Sequence, residues 1–321
     1  MNALILRAVP FAAFLVFVAC GPLVMTDGHL HLATEMFVVI VIASMWNLLA
    51  GYAGLMSLGH QMYFGAGGYV LYLFANATGL HPYLGLIVAF LFGGLAAAVI
   101  APILFRLRDA YFAIASWVLA EMVSITVQKT DALGGITGIS LLDMSTIDFG
   151  RFEADMFVMG AAMALAAVLG SLWLLRSKPG LAFMCVRDNE RAAAAVGIDV
   201  LPNRLLAYVL SAAGCAAAGG LSLLGGLVVQ PGNALSPEWT VIMTFVVVVG
   251  GIGTLEGPIL GTLIYFGLRQ LLTVVFPLSG TWYLVAMGVV AVATMLYAPR
   301  GLWPILRDRF GLDWLSVRRV L

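Results

Sequence analysis

The chain has 321 residues, 62% of them hydrophobic, with a mean hydropathy of +1.04. Charged residues make up 10%, against about a quarter in ordinary soluble domains, and the sixteen basic and sixteen acidic side chains cancel. A soluble fold of this length cannot hide so much apolar surface, which excludes a soluble enzyme, a nucleic-acid binder and a disordered protein. Cys20, Cys185 and Cys215 are too few for a disulfide framework.

In chain order, apolar runs fall near 8–26, 35–50, 60–77, 83–105, 110–128, 156–175, 204–229, 239–250, 258–276 and 281–298. The first run, with Val18-Ala19-Cys20-Gly21, resembles a signal peptide with a lipoprotein cleavage site. It is read as a membrane helix because further spans follow and no soluble body does. The fold class predicted is all-α: a polytopic membrane protein of about ten spans, one domain over 1–321, or about eight spans if a Gly-rich pair is re-entrant. Two short spans adjoin Gly-rich breaks. One contains Gly51, Gly54 and Gly59; the other contains Gly250, Gly251, Gly253 and Gly257.

Basic residues orient the spans. Arg176, Lys178, Arg187, Arg191 and Arg204 crowd the loop 176–203 and its end, and Arg300, Arg307, Arg309, Arg318 and Arg319 crowd the tail 299–321. With Arg7, Arg106 and Arg108 they share one side if both termini are cytoplasmic. The opposite loop, 129–155, carries Asp131, Asp143, Asp148, Glu153 and Asp155.

Few polar groups sit inside the spans. Ser57, Gly59, His60, Gln61, Tyr63 and Phe64 follow the first break, where backbone leaves the helix, a departure that membranes tolerate only inside protein or beside water. They are read as the lining of a translocation path; helix packing and a Ser57/His60 hydrolytic dyad are the alternatives. Glu121 lies near the middle of the fifth span and is read as a path residue or as a structural partner of Arg269. Gly214, Ala218, Ser222 and Gly226 form a small-residue stripe for helix contact, as do Gly257 and Gly261.

The loop 176–203 carries a short helix over 189–196. Asp188 or Asn189 can cap it, Glu190 suits its positive end, and Gly197 can close it. About two turns of helix are unstable alone in water, so this one docks on something; a surface helix packed on its own protein is the alternative. No phosphate-binding Gly-Lys loop is present, and His29 and His31 form a polar turn and no metal site.

Taken together, these motifs resemble the M-type permease subunits of branched-chain amino-acid ABC importers. The resemblance rests on Trp46-Asn47-Leu48-Leu49-Ala50-Gly51-Tyr52-Ala53-Gly54 with Ser57 to His60, and on Leu107-Arg108-Asp109-Ala110-Tyr111-Phe112 through Glu121. It extends to Leu133-Gly134-Gly135-Ile136-Thr137-Gly138, to the loop with Arg187, Asp188, Asn189, Glu190, Ala193, Ala194, Gly197 and Ile198, and to the break at 250–258. Ser116-Trp117 and Met62-Tyr63 depart from the family pattern and bear on the substrate. The resemblance implies a permease fold with broken helices in the bacterial inner membrane, with Asn47 beside the path and residues 187–198 contacting the ATPases. It implies a homologous H-type permease partner, two cytoplasmic ATPases that bind the ATP, a periplasmic or lipid-anchored binding protein, and no cofactor in this chain. The expected function is inward movement of branched-chain or other hydrophobic amino acids by alternating access. A proton- or ion-coupled carrier would need several intramembrane carboxylates, and an intramembrane enzyme would need a paired nucleophile and base.

Overall fold

The computed structural model describes residues 2–142, 147–272, 282–310 and 315. Asp143, Arg318, Arg319 and the end of the run 258–276 lie outside these residues. In chain order the elements are α1 (Asn2–Val24), α2 (Asp27–Asn47) continuing into a π turn (Leu48–Tyr52), α3 (Gln61–Thr78), α4 (Leu84–Leu104), α5 (Asp109–Gln128), β1 (Ile139–Ser140), α6 (Phe152–Arg176), α7 (Lys178–Asp188), α8 (Glu190–Ala195), α9 (Val200–Leu224), β2 (Val228–Val229), α10 (Pro231–Ala234), α11 (Glu238–Gly250), α12 (Gly257–Gln270), α13 (Trp282–Tyr297) and α14 (Leu302–Phe310).

Within the described residues, each apolar run read from the sequence falls largely on a helix; the run 204–229 passes beyond α9 into β2. Among the described residues, six helices qualify as membrane spans by length and apolarity, or seven if α13 and α14, bent by 50°, count as one. The expected count of about ten is therefore not established. The loop 176–203 is helical over most of its length. Pro179 and Gly180 occupy the first turn of α7, where proline's missing N–H leaves no bond unmade. Pro202 sits likewise in the first turn of α9, which begins four residues before the predicted start.

The chain forms two compact units. One comprises Leu48–Phe152 and Ser177–Val241. Its centre is α9, buried on every side from 211 to 221, packed on α3 and α4. Backbone meets backbone here: a Cβ on Gly67 would overlap the Ala216 carbonyl oxygen, and one on Gly219 would overlap that of Phe64. Gly93 approaches within 2.5 Å of the Ala216 Cβ by the same construction. Of the stripe read from sequence, Gly214 and Ala218 belong to this intramolecular core, while Ser222 is half-buried and Gly226 is exposed beyond the helix. The all-α reading gains one antiparallel pair, Ile139 opposite Val229 and Ser140 opposite Val228. Asn76 at the end of α3 fixes it, donating to Ser140 O at 3.0 Å and accepting from Leu142 N at 2.9 Å.

The other unit comprises Met1–Asn47, Glu153–Arg176 and Ile242–Leu321. Phe37 and Phe157 stack with ring centroids 5.5 Å apart, and α2 lies along α12. Cβ atoms on Gly250 and Gly261 would overlap the carbonyl oxygens of Gly257 and Val246, so α11 and α12 touch at glycine.

Candidate functional site

The first break folds into a buried polar network. His60 has no exposed surface; its Nδ1 lies 2.9 Å from Ser57 Oγ and its Nε2 lies 2.9 Å from Ser211 Oγ on α9. A hydroxyl donates or accepts, so either neutral tautomer of the imidazole is satisfied. Gln61 N–H donates to Thr240 Oγ1 at 3.2 Å, and Thr240 Oγ1 donates to Gln61 Oε1. The Gln61 Nε2 is buried and makes no hydrogen bond among the described residues. Tyr63 donates to Tyr208 Oη at 2.8 Å, and Phe64 stacks on Trp239 with centroids 4.0 Å apart. Gly59 lets the chain cross α5, because a Cβ there would overlap the Ser116 carbonyl oxygen. Ser116 Oγ in turn accepts from Leu58 N at 3.0 Å.

In this conformation Ser57, His60, Gln61, Tyr63 and Phe64 are each at most 2% exposed and face no open passage. The Ser57–His60 distance suits a nucleophile and base, yet both ring nitrogens are engaged by serines and a substrate has no approach. Sequence reasoning missed Ser211, Tyr208 and Thr240. Their only local signal was a polar atom in an apolar run.

Asn47, read as a path residue, clamps the second break. Its Nδ2 donates to Thr254 O and its Oδ1 accepts from Gly253 N, both at 2.8 Å, with 1% of the residue exposed. Thr254 Oγ1 donates to Gly251 O at 2.7 Å and accepts from Gly257 N at 3.1 Å. Gly251 and Gly253 have φ of +136° and +72°, conformations that L side chains resist. Glu256 Oε1 accepts from Leu315 N at 2.7 Å.

In the helical loop the cap is Asn189, whose Oδ1 accepts from Ala192 N at 3.0 Å; Asp188 is taken up by Arg187. Gly197 ends α8 at φ +86°. Glu190 pairs with Arg204 at 3.0 Å, tying α8 to α9. Ala193 is buried at 3% and faces this chain, so it presents nothing to a partner; Ala194, Val196 and Arg191 are exposed, and Ile198 is half-buried. Arg187 Nη1 donates to Gly51 O at 2.7 Å.

Glu121 is half-buried on α5, and its carboxylate makes no hydrogen bond or ion pair among the described residues. Arg269, its candidate partner, pairs with Glu35 at 3.1 Å. An apolar groove of about 410 Å³ between α4 and α5, lined by Ile103, Leu107, Ile114 and Met122 among others, contains no residue of the polar network.

A family model described as the branched-chain amino acid transport system / permease component matches residues 29–295. The high-affinity branched-chain amino acid transport system permease protein LivM of Escherichia coli (strain K12) is 26% identical over 94% of this chain and 76% of its own length. The probable branched-chain amino acid transport permease protein LivH of Methanocaldococcus jannaschii is 26% identical over 79% of this chain and 82% of its own. One chain of PsaBC from Streptococcus pneumoniae in complex with Fab is similar over 93% of this chain and 99% of its own at 15% identity, with a TM-score of 0.48, too slight to carry a fold assignment. With its family model covering most of its length, the chain belongs to the branched-chain amino acid transport system permease family.

Proposed function

We propose that this chain is one permease subunit of an ATP-driven importer and moves branched-chain or similar hydrophobic amino acids inward across the bacterial inner membrane by alternating access. The observation that carries the reading is the first break. There the chain leaves the helix, buries Ser57, His60 and Gln61, and holds one amide donor, Gln61 Nε2, without a partner among the described residues. An unpaired buried donor costs about 1–3 kcal/mol, an expense suited to a group that a passing carboxylate or water satisfies in another conformation. Helices α7 and α8, with exposed Ala194 and Val196, supply the surface for a cytoplasmic ATPase. A second permease of the H type, two ATPases and a binding protein complete the machine, and both termini of this chain lie in the cytoplasm.

The test is reconstitution. Proteoliposomes holding both permeases and both ATPases, supplied with the binding protein, should accumulate radiolabelled leucine only with ATP inside. The isolated chain should neither hydrolyse ATP nor concentrate leucine. Hydrolysis by the isolated chain, or accumulation driven by an ion gradient without ATPases, would contradict the reading. Thermal-shift screening of the binding protein against leucine, isoleucine, valine, aromatic acids, short amides and urea identifies the substrate.

A further inference from the structure

Arg187 reaches from the last turn of α7 to the broken span. Its Nη1 lies 2.7 Å from Gly51 O, inside the π turn Leu48–Tyr52. The remaining face of the guanidinium is fixed, because Nε and Nη2 lie 2.9 and 2.8 Å from Asp188 Oδ1. In the π turn, Ala53 N donates to Leu48 O at 3.2 Å and Leu55 N donates to Leu49 O at 3.1 Å, so the ladder has slipped past the usual four-residue spacing. Gly51 O is among the last carbonyls of that helix, which have no helical donor ahead of them. A cation there also meets the negative end of the helix dipole.

Gly54 points to the same seat. It holds φ +74°, and a Cβ on it would stand 2.9 Å from Arg187 Cγ and 3.2 Å from Arg187 Cα. The chain leaving the π turn therefore passes directly over the arginine. Beyond Arg187, two residues lead into α8, whose other anchor is the Glu190–Arg204 pair. A displacement of α7–α8 thus acts on the π turn through a planar, two-sided fork. A π turn differs from an α turn by one hydrogen-bond register, so a shift of one register is the change that a pull on Gly51 O would produce.

We propose that Arg187 is a positioning residue that transmits movement of α7–α8 to the broken span by holding the Gly51 carbonyl, and that it does not itself contact the ATPase. This rests on the reading of α7–α8 as the ATPase-docking pair. Arg187 sets coupling, and the exposed face of α8 sets docking.

The experiment uses the complete complex in proteoliposomes, with three readouts: ATPase co-purification, ATP hydrolysis stimulated by the loaded binding protein, and uptake of radiolabelled leucine. The variants are Arg187→Met, Arg187→Lys and Gly54→Ala. Arg187→Met should retain the ATPases and hydrolyse ATP, while leucine moved per ATP falls at least about fivefold. Arg187→Lys keeps one donor but loses the fork, and should lie between Met and wild type. Gly54→Ala disturbs the same seat from the other side with every charge intact, and should reproduce the uncoupling. A wild-type ratio of leucine to ATP in Arg187→Met overturns the proposal. So does loss of the ATPases from that variant, which would make Arg187 a docking residue. The wild-type pull-down reads the underlying hypothesis separately: if the wild-type complex binds no ATPase, the docking reading fails first and takes the proposal with it.

Discussion

Replacing Asn47 by alanine strands two half-buried backbone groups of the second break. Gly253 N–H and Thr254 C=O each lose a 2.8 Å bond to a side chain that is 1% exposed. An unpaired buried polar group costs about 1–3 kcal/mol, and half-buried groups fall at the low end, so the substitution destabilises by about 2 kcal/mol in total. Per-residue unfolding entropies put about 1.5 °C on each kcal/mol in a chain of this length, which gives a fall of about 3 °C in the unfolding midpoint. Asn47→Asp has nearly the same shape and should be worse. One carboxylate oxygen still accepts from Gly253, but the other faces the Thr254 carbonyl, and a charge has been buried without a donor. The assay is thermal unfolding of detergent-purified protein, followed by tryptophan fluorescence. The expected order of stability is wild type, then Asn47→Ala, then Asn47→Asp. A midpoint for Asn47→Ala within about 1 °C of wild type, on the same entropy scale, refutes the clamp. So does an aspartate variant more stable than the alanine one.

Gly67→Val drives two methyl groups toward the Ala216 carbonyl and should abolish accumulation of the chain in membranes, whereas Gly267→Ala, with open space around it, should accumulate normally by immunoblot. Val196→Asp, on a side chain 77% exposed, should weaken ATPase co-purification severalfold with the melting temperature unchanged; Ala193→Asp, at 3% exposure, should lower the melting temperature by several degrees because it buries an unpaired charge. Gln61→Met keeps the volume and removes the unpaired donor but also the acceptor of the Thr240 hydroxyl, so the two effects offset and thermal stability should change little while the leucine concentration for half-maximal uptake increases. Asn76→Ala removes both bonds that fix the paired segment near 139–142, and amide exchange there should accelerate at least tenfold by mass spectrometry.

Local chemistry was the part of this molecule that the sequence made legible. Asn189 and Gly197 bracket α8 because an Asx cap and a left-handed glycine act within one helical turn, and both are readable at that range. The helical segments were legible for the same reason: apolar runs of bilayer length have few alternatives. Partners distant in sequence were not legible. His60 bonds Ser211, Gln61 bonds Thr240 and Tyr63 bonds Tyr208, pairs 145–179 positions apart, and nothing in a lone serine names the helix it will face. Asn47 is instructive in the same way. The resemblance placed it beside the path, and its buried amide is taken up by the unpaired groups of irregular backbone more than 200 positions away. The small-residue pattern announced close packing on α9 without naming the neighbour, and the neighbours proved to be α3 and α4 of the same chain.

The contacts around residues 211–221 of α9 have a mechanical consequence. Side chains that interlock can swap rotamers and let helices creep past one another by small increments. Here Gly67, Gly93 and Gly219 bring main chain against main chain, and no rotamers are available to absorb a shift. The assembly of α3, α4 and α9 therefore behaves as a stiff block with no internal compliance. Any rearrangement beside it must be borne where backbone is free to change its torsions, and next to this block that place is the π turn and the eight irregular residues after Tyr52 that lead into α3.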